Sequence, residues 1–396
     1  MRSSNLNLSP LGTGSAGLFA LGLITIAALR HAETPPGAVE RGVSIILITA
    51  WPALAWLLSR ERGLSALGLA LVVALLAGIW VGALPLPPGA VVGTLFDRLP
   101  GVDLSGGLSA TQEAVLLQLR LPRVLLAALV GAGLAISGAA YQGVFRNPLA
   151  DPYLLGAAAG AGLGATLVIA YSPSQSLGPV GVVPLAAFVG ALVGVGCALA
   201  LGTAAGGSHS ATLLLAGVAV AAFLAAAQTL VQQQNTDDLR EVYGWLLGQL
   251  GRAQWSDIAL VLPYLVPACL VLLFSGRALD VLAVGDDEAS ALGVHPGRLR
   301  LLVILAASMA TAAAVAVSGL IGFVGLVVPH IARRLVGGAH ARVLPVSLLL
   351  GGGFLVLCDL VARVVLAPAE LPIGVVTAFV GAPFFAGLLW VGARRR

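Results

Sequence analysis

Long apolar runs constrain this chain more than any other feature. A helix needs roughly 17–25 apolar residues to cross a bilayer, and runs of that length occur twelve times. Strands of a membrane barrel would be shorter, about ten residues, and would alternate in hydropathy. Only 10% of residues are charged, against about 25% in soluble domains. The sequence therefore predicts an all-α polytopic membrane protein. Its predicted spans lie near 11–29, 42–59, 64–84, 121–145, 154–171, 180–201, 211–231, 257–274, 301–320, 321–338, 343–366 and 371–392.

The first two runs form a separate N-terminal region. The run at 11–29 could be mistaken for a signal peptide, but Arg2 is the only basic residue before it and no good cleavage site follows. It is interpreted as a retained helix. Residues 1–62 are thus predicted to be an extension with one or two extra transmembrane helices, and 63–396 a transmembrane domain. The role of the extension stays open.

Arginine distribution predicts the orientation. With the N-terminus in the cytoplasm, thirteen of the 21 basic residues lie on the cytoplasmic side, as the positive-inside rule requires. The loops 85–120 and 232–256 then face outward, 275–300 faces the cytoplasm, and both termini are cytoplasmic. The chain has no lysine, which excludes a Walker A phosphate loop. The three cysteines are isolated in apolar runs, so no disulfide, metal or cofactor is predicted.

The cytoplasmic loop 275–300 contains a short amphipathic pattern. An acidic first turn, Asp286 to Glu288, suits a helix N-terminus, and Ala289, Leu292 and Val294 share one apolar face. Gly293 and Pro296 end the helix. A helix that lies on a membrane surface would carry basic residues on its polar face. This acidic helix is therefore predicted to dock on a protein partner.

Polar residues, prolines and glycines cluster within an apolar region at 134–156, "LAISGAAYQGVFRNPLADPYLLG". The pattern partly recurs 181 positions later, where Gly138 and Gly156 are matched by Gly319 and Gly337. Internal repeats and broken helices are typical of transporters, with the substrate path at the repeat interface. The cluster is predicted to line or close a pathway.

These segments resemble the permease subunits of type II ATP-binding-cassette (ABC) importers, which carry iron–siderophore complexes, haem or cobalamin. The resemblance covers about residues 64–392. It rests on "LRLPRVLLAALVGAGLAISGAAYQGVFRNPLADPYLLG", "LLLAGVAVAA", "GDDEASALGV", "GFVGLVVPHIAR" and "DLVARVVLAPAELPIGVVTAFVGAPFF". It implies a ten-helix permease core, here preceded by two extra helices.

The resemblance also implies roles for particular residues. The link after the second core helix and the segment before "LLLAG" form cytoplasmic gates in this family, and a cytoplasmic helix pair near 281–296 receives the ATPase. Arginines on the outer face receive carboxylates of the binding protein. Mapped by position, the gate residues are Asn147, Leu149, Ser210 and Ala211; the coupling residues are Gly285, Glu288, Ala289, Leu292 and Gly293; and the docking residues are Arg120, Arg123 and Arg363.

Simpler interpretations exist for some of these residues. Asn147 could cap a helix, and Arg363 could pair with Asp359 one turn away, so the role of this pair stays open.

The implied assembly is an importer in the bacterial cytoplasmic (inner) membrane. Its partners would be a second copy of this permease, two separate ATPase subunits and a periplasmic or lipid-anchored binding protein, with no nucleic acid. The chain itself would be no enzyme. A heterodimer with a second permease is an open alternative, as is cobalamin instead of an iron complex. An ion-coupled secondary carrier would need an acidic residue within the membrane, for which only Asp359 is a candidate.

Overall fold

The structure is a computed structural model that describes residues 64–82, 84, 86–96, 107–172, 176–177, 180–205 and 210–393. Helices account for most of these residues. Their bounds are α1 Leu64–Trp80, α2 Pro88–Phe96, α3 Ala110–Val144, α4 Ala157–Tyr171, α5 Val182–Ala204, α6 Ser210–Gln234, α7 Leu239–Leu246, α8 Trp255–Phe274, α9 Gly276–Val284, α10 Asp286–Ala291, α11 Pro296–Ser318, α12 Val324–Val336, α13 His340–Val364 and α14 Ile373–Ala393. A two-residue antiparallel pair, Ser176–Leu177 with Val180–Gly181, precedes α5.

Six of the helices are long and apolar enough to cross a membrane: α3, α5, α6, α8, α11 and α13. Three shorter apolar helices, α1, α4 and most of α14, accompany them. The all-α polytopic fold predicted from the sequence is confirmed. The two predicted spans at 11–29 and 42–59, and with them the extension 1–62, lie outside the described residues.

The predicted outer loop 85–120 differs from the structure. Helix α3 begins at Ala110, where Ser109 and Gln112 form a reciprocal capping box, rather than near 121. A π-helical turn, Val115–Arg120, lies within its first part. Helical propensity and this cap extend the helix beyond the apolar run, which hydropathy alone does not reveal. The added turns place Arg120 inside a helix instead of in a loop.

Two predicted spans are shorter than expected. The span at 154–171 becomes α4, which starts at Ala157 after an irregular segment. The span at 321–338 becomes the 13-residue α12, because residues 319–323 leave the helix, with left-handed backbone at Gly319 (φ 68°) and Phe323 (φ 68°). Apolar composition continues through residues 154–156 and 319–323, so hydropathy does not detect that these residues leave the helix.

Helices α3, α11 and α13 form the centre of the molecule, while α5 and α6 are largely exposed. Small residues allow the close approach that transmembrane helices need in the absence of a strong hydrophobic drive. A Cβ at Gly131 of α3 would lie 2.2 Å from the carbonyl oxygen of Gly351 in α13. At the periphery, Gly160 of α4 and Gly190 of α5 approach each other in the same way.

The repeat in the sequence is not matched by a repeat in backbone conformation. Gly156 and Gly337, 181 residues apart, both have φ 83°, but their ψ angles are 5° and −177°. Gly156 directly precedes α4, whereas Gly337 follows the end of α12 and lies three residues before α13. Gly138 is helical and Gly319 is left-handed. The repeated pattern therefore does not give the two halves the same turn.

Candidate functional site

Residues 145–156, here called the gate link, join α3 to α4 without forming a helix. Two Asx turns shape this segment. The Asn147 carboxamide oxygen accepts a hydrogen bond from the Leu149 N–H (2.9 Å), and the Asp151 carboxylate accepts one from the Tyr153 N–H (2.8 Å). Asn and Asp favour such turns over helix because their short side chains satisfy nearby backbone groups. The sequence "RNPLADP" thus folds into consecutive turns.

The gate link is attached at its far end to the break between α11 and α12. The Tyr153 hydroxyl donates to the Ile321 carbonyl (3.0 Å) and accepts from the Ile321 N–H (3.2 Å). Between the two ends, the Leu149 side chain is 60% exposed. An exposed leucine on a tightly turned segment is free to meet another surface, as the predicted gate role requires.

The second predicted gate falls at the first residues of α6. Ser210 begins the helix, and Ala211 is exposed beside it. The Ser210 side chain lies outside the described atoms. A small exposed residue at a helix start lets another chain approach closely, and Ala211 offers that without a polar group.

The loop 275–300 folds into the two short helices α9 and α10, at the place where the sequence predicts a helix. Gly285 separates them, and Gly293 (φ 82°) follows the end of α10 in left-handed backbone. Leu292 is 70% exposed and Val284 is 71% exposed, while Ala289 is fully buried. Among the predicted coupling residues, Leu292 and Glu288 therefore present side chains outward, and Ala289 packs inside.

Asp286, at the start of α10, joins three parts of the chain. Its carboxylate accepts a hydrogen bond from Arg300 of α11 (2.8 Å) and another from Arg146 of the gate link. The same Arg146 guanidinium donates to the Leu282 carbonyl of α9. Burial alone would raise the pKa of Asp286, but these two arginines hold it below its ordinary value. Asp286 is therefore charged at neutral pH.

The first helix of the pair has its own anchor. Both carboxylate oxygens of Asp280, in α9, accept backbone N–H groups at the start of α13, from His340 and from Ala341 (3.2 Å). A carboxylate at a helix N-terminus satisfies orphan donors and complements the helix dipole. Helix α9 is thereby fixed to one of the central helices.

A buried ionic cluster lies at the opposite end of α3. The Arg123 guanidinium donates to Asp359 (2.9 Å) and to Glu370 (2.8 Å). Arg363 is 3.1 Å from the second Asp359 oxygen, an ion pair without hydrogen-bond geometry. The expected pairing of Asp359 with Arg363 one turn away is present, and Arg123 joins it from another helix.

Two of the predicted docking arginines, Arg120 and Arg363, cap the C-terminus of α1. Arg120 donates to the carbonyls of Ile79, Trp80 and Leu84, and Arg363 donates to those of Gly78 (3.0 Å) and Val81 (3.3 Å). Guanidinium groups at a helix C-terminus satisfy its free carbonyls and oppose the negative end of the dipole. All three predicted docking arginines therefore bond carbonyl or carboxylate oxygens of this same chain in the part that the structure describes.

Comparison with known proteins identifies the fold. The model of the FecCD transport family matches residues 70–391. The chain belongs to the FecCD transport family. It is 42% identical to the cobalamin import system permease of Halobacterium salinarum, over 78% of this chain and 82% of that protein. It is also 42% identical to the hemin transport system permease of Yersinia pestis, over 71% and 83%.

A solved structure agrees with this. An inward-facing conformation of a metal-chelate type ABC transporter superposes with a TM-score of 0.72 at 32% identity, covering 83% of this chain and 98% of that one. The resemblance inferred from the sequence motifs is confirmed. FecCD proteins are permeases, transport components that work with ATPase and binding-protein subunits, and this chain is accordingly a multi-pass membrane protein.

Several contacts that hold these segments in place are not evident from the sequence. Arg300, Asp280 and Tyr153 received no role, although each ties the gate link or the helix pair to the core. The only available signal was a charged or polar residue beside an apolar run, which does not identify a distant partner. Within the described ranges, no group of three or more His, Cys, Asp or Glu side chains could hold a metal ion.

Proposed function

We propose that this chain is the permease subunit of a binding-protein-dependent ABC importer for an iron complex, a ferric siderophore or haem. Membership of the FecCD transport family over residues 70–391 carries this proposal. The similarity to a hemin permease and to a metal-chelate transporter structure supports the substrate class. The chain would perform no covalent chemistry.

Cobalamin is the second candidate substrate. The relative from Halobacterium salinarum, a cobalamin permease, is as similar to this chain as the hemin permease is. Haem and cobalamin are both bulky tetrapyrrole chelates, so size alone does not choose between them. A measurement with each ligand is needed to separate them.

An ion-coupled secondary carrier is disfavoured by the surroundings of Asp359. Such a carrier needs a carboxylate that can release and rebind its ion. Asp359 is only 1% exposed and lies between Arg123 and Arg363. The guanidinium groups lie against both carboxylate oxygens and leave no room for a cation.

The proposed assembly places the gate link and the α9–α10 pair at the cytoplasmic face of a bacterial inner membrane, with both termini on that side. Two copies of the permease would enclose the path, and two separate ATPase subunits would dock on α10 through Leu292. Asn147 and Leu149 would form one gate and Ser210 and Ala211 the other. The exposed position of Leu149 and the apolar exposure of Leu292 support these roles.

A binding protein would dock at the opposite face. Arg120, Arg123 and Arg363 are proposed to receive its carboxylates, although all three are largely buried, and the side chains of Arg123 and Arg363 are only 10% and 8% exposed. The Glu370 carboxylate, which is 45% exposed, now occupies the outward side of Arg123. We propose that a carboxylate of the binding protein replaces Glu370 there.

Ligand-stimulated ATP hydrolysis tests the proposal. The chain is reconstituted in lipid with its partner ATPase and binding protein, and haem, a ferric siderophore and cobalamin are titrated separately. We expect one iron complex to stimulate hydrolysis. Stimulation by cobalamin alone would transfer the proposal to the second candidate, and stimulation by none would contradict an importer for these chelates.

The docking role of Leu292 has a matched control. Leu292→Arg places a charge in the proposed apolar contact, so we expect loss of ATPase co-purification and of ligand-stimulated hydrolysis. Leu292→Met keeps the volume and hydropathy of the side chain and should retain both. Co-purification of the ATPase with Leu292→Arg at the unsubstituted level would exclude α10 as the docking helix.

A further inference from the structure

The side chain of Arg146 joins the gate link to the proposed docking helix. It is the second residue of the gate link, and its guanidinium reaches out of the link to Leu282 of α9 and Asp286 of α10. Its backbone is left-handed, with φ 49°. A non-glycine residue in that region is disfavoured and persists where surrounding contacts hold it. These two contacts aim the side chain away from the link and toward α9 and α10.

Asp286 has a second, more firmly held partner. Arg300 lies on the central helix α11, is 7% exposed, and its Nε is buried without a partner among the described residues. Arg300 therefore has a spare donor for Asp286 if Arg146 departs. The Asp286 carboxylate thus lies between Arg300, which is held in the core, and Arg146, which belongs to the gate link.

The neighbouring helix supplies a fixed reference. Because Asp280 binds two N–H groups at the start of α13, α9 is attached to the core while α10 follows it across Gly285. A force applied to Leu292 would turn α10 relative to α9. Among the described residues of α10, the Asp286 side chain contacts both the core, through Arg300, and the gate link, through Arg146.

Stability alone does not account for this arrangement. The Arg146 and Asp286 side chains are 37% and 43% exposed. Ion pairs this exposed contribute little to the stability of the fold, because water screens the two charges. An exposed pair of this kind can break and re-form at little cost, which suits a moving contact better than a structural one.

We propose that Arg146 and Asp286 are positioning residues that transmit movement of α10 to the gate link, with Arg300 holding Asp286 in place when Arg146 is released. This inference rests on the proposed function. It adds a specific ionic connection through which docking at Leu292 reaches Asn147 and Leu149.

Transport per ATP hydrolysed tests the connection. The variants are Asp286→Asn, Arg146→Asn, whose asparagine tolerates the left-handed backbone, the double variant, and Arg146→Lys. Asp287→Asn removes a carboxylate from the next, exposed position of α10 and serves as the matched control. Each variant is assembled with the ATPase and binding protein in vesicles. The quantity measured is the amount of ligand (haem, ferric siderophore or cobalamin, whichever stimulates hydrolysis) that accumulates inside per ATP hydrolysed.

We expect Asp286→Asn and Arg146→Asn each to lower the ligand imported per ATP by about tenfold, a typical coupling effect, while ATPase co-purification and thermal stability stay unchanged. The double variant should be no worse than either single one, since both remove the same contact. Arg146→Lys should recover part of the loss, and Asp287→Asn should couple normally.

Two transport results would overturn the inference: import per ATP within twofold of the unsubstituted complex in Arg146→Asn, or losses that multiply in the double variant. Failure of the proposed function has a different signature. In that case the unsubstituted chain itself would show no ligand-stimulated hydrolysis, and the proposed role of Arg146 and Asp286 would be contradicted as well. A loss of co-purification in Asp286→Asn would instead assign Asp286 to docking and also contradict the inference.

Discussion

At the scale of single residues, Asp151 of the gate link combines a turn-forming role with an unfavourable charge. Desolvation raises its pKa to about 6, although the hydrogen bond from the Tyr153 N–H opposes this. A carboxyl with a raised pKa in the folded state binds its proton more tightly there than in the unfolded chain. Its contribution to stability is thus complete below the unfolded pKa, about 3.9, and is lost as the pH rises through about 6.

Asp151→Asn should therefore stabilise the protein at high pH and not at low pH. Asparagine keeps the oxygen that accepts from Tyr153 but carries no charge. We expect the gain to be small near pH 4.5 and to reach at most roughly 3 kcal/mol above pH 7, measured as thermal unfolding in detergent. The exposed Asp287→Asn should change stability little at either pH. A gain that does not depend on pH would show that burial of the charge is not the cause.

The same residues show what sequence can reveal. The cluster of Asn147, Asp151 and two prolines predicted an interruption because each of these residues disfavours helix by itself. The partners of Tyr153 and Arg146 lie 168 and 136 to 140 positions away. Nothing local specifies such a contact, so roles that depend on a distant partner could not be predicted.

At the scale of helices, the packing of α3 against α12 depends on Gly138. A Cβ there would lie 2.0 Å from the carbonyl oxygen of Gly325, which is backbone and cannot rotate away. Gly196 of α5 is also helical, and nothing lies within 4 Å of its added Cβ. The two glycines share a secondary structure and differ in what surrounds them.

We expect Gly138→Ala to destabilise the protein by about 1–3 kcal/mol, as overpacking typically does, and to lower the yield of folded protein. Gly196→Ala should be neutral or stabilising by up to about 1 kcal/mol, since alanine favours helix. Thermal unfolding of both variants in the same detergent measures the difference. Equal unfolding midpoints for the two variants would mean that α12 can shift to make room for the added methyl group, and that stability does not depend on the close approach of α3 and α12.

Helix prediction succeeded where apolar composition and helical structure coincide, and it erred where they separate. The segments 154–156 and 319–323 are as apolar as their flanks but leave the helix, while 110–120 is more polar and joins it. Hydropathy measures transfer into a membrane, and backbone conformation also depends on caps, turns and packing. The ends of α3, α4 and α12 were displaced for that reason.

At the scale of the whole molecule, the exposed helices α5 and α6 differ in polarity. Helix α5 exposes Leu185, Val189 and Val193, and its one threonine bonds its own backbone. Helix α6 exposes Phe223 and Leu230 and also carries glutamines at 228 and 232–234, of which Gln228 packs against Gly162 of α4 while Gln233 is exposed. Polar side chains in lipid are costly and usually face protein or a water-filled path. We therefore expect the proposed second permease copy and the substrate path on the α6 side, and lipid on the α5 side.

Spin labels can separate the two environments in the lipid-embedded complex. With the exposed Cys197 replaced by serine, a label is placed at Val189→Cys or at Phe223→Cys, leaving only the buried Cys269 and Cys358. We expect collisions with oxygen, which concentrates in lipid, to be several-fold more frequent at position 189. Dissociating the complex into single permeases in detergent should raise oxygen access at 223 and leave 189 unchanged, because only α6 would lose a protein neighbour. Equal access at both positions in the intact complex would place α6 in lipid and remove the argument for a second copy on that face.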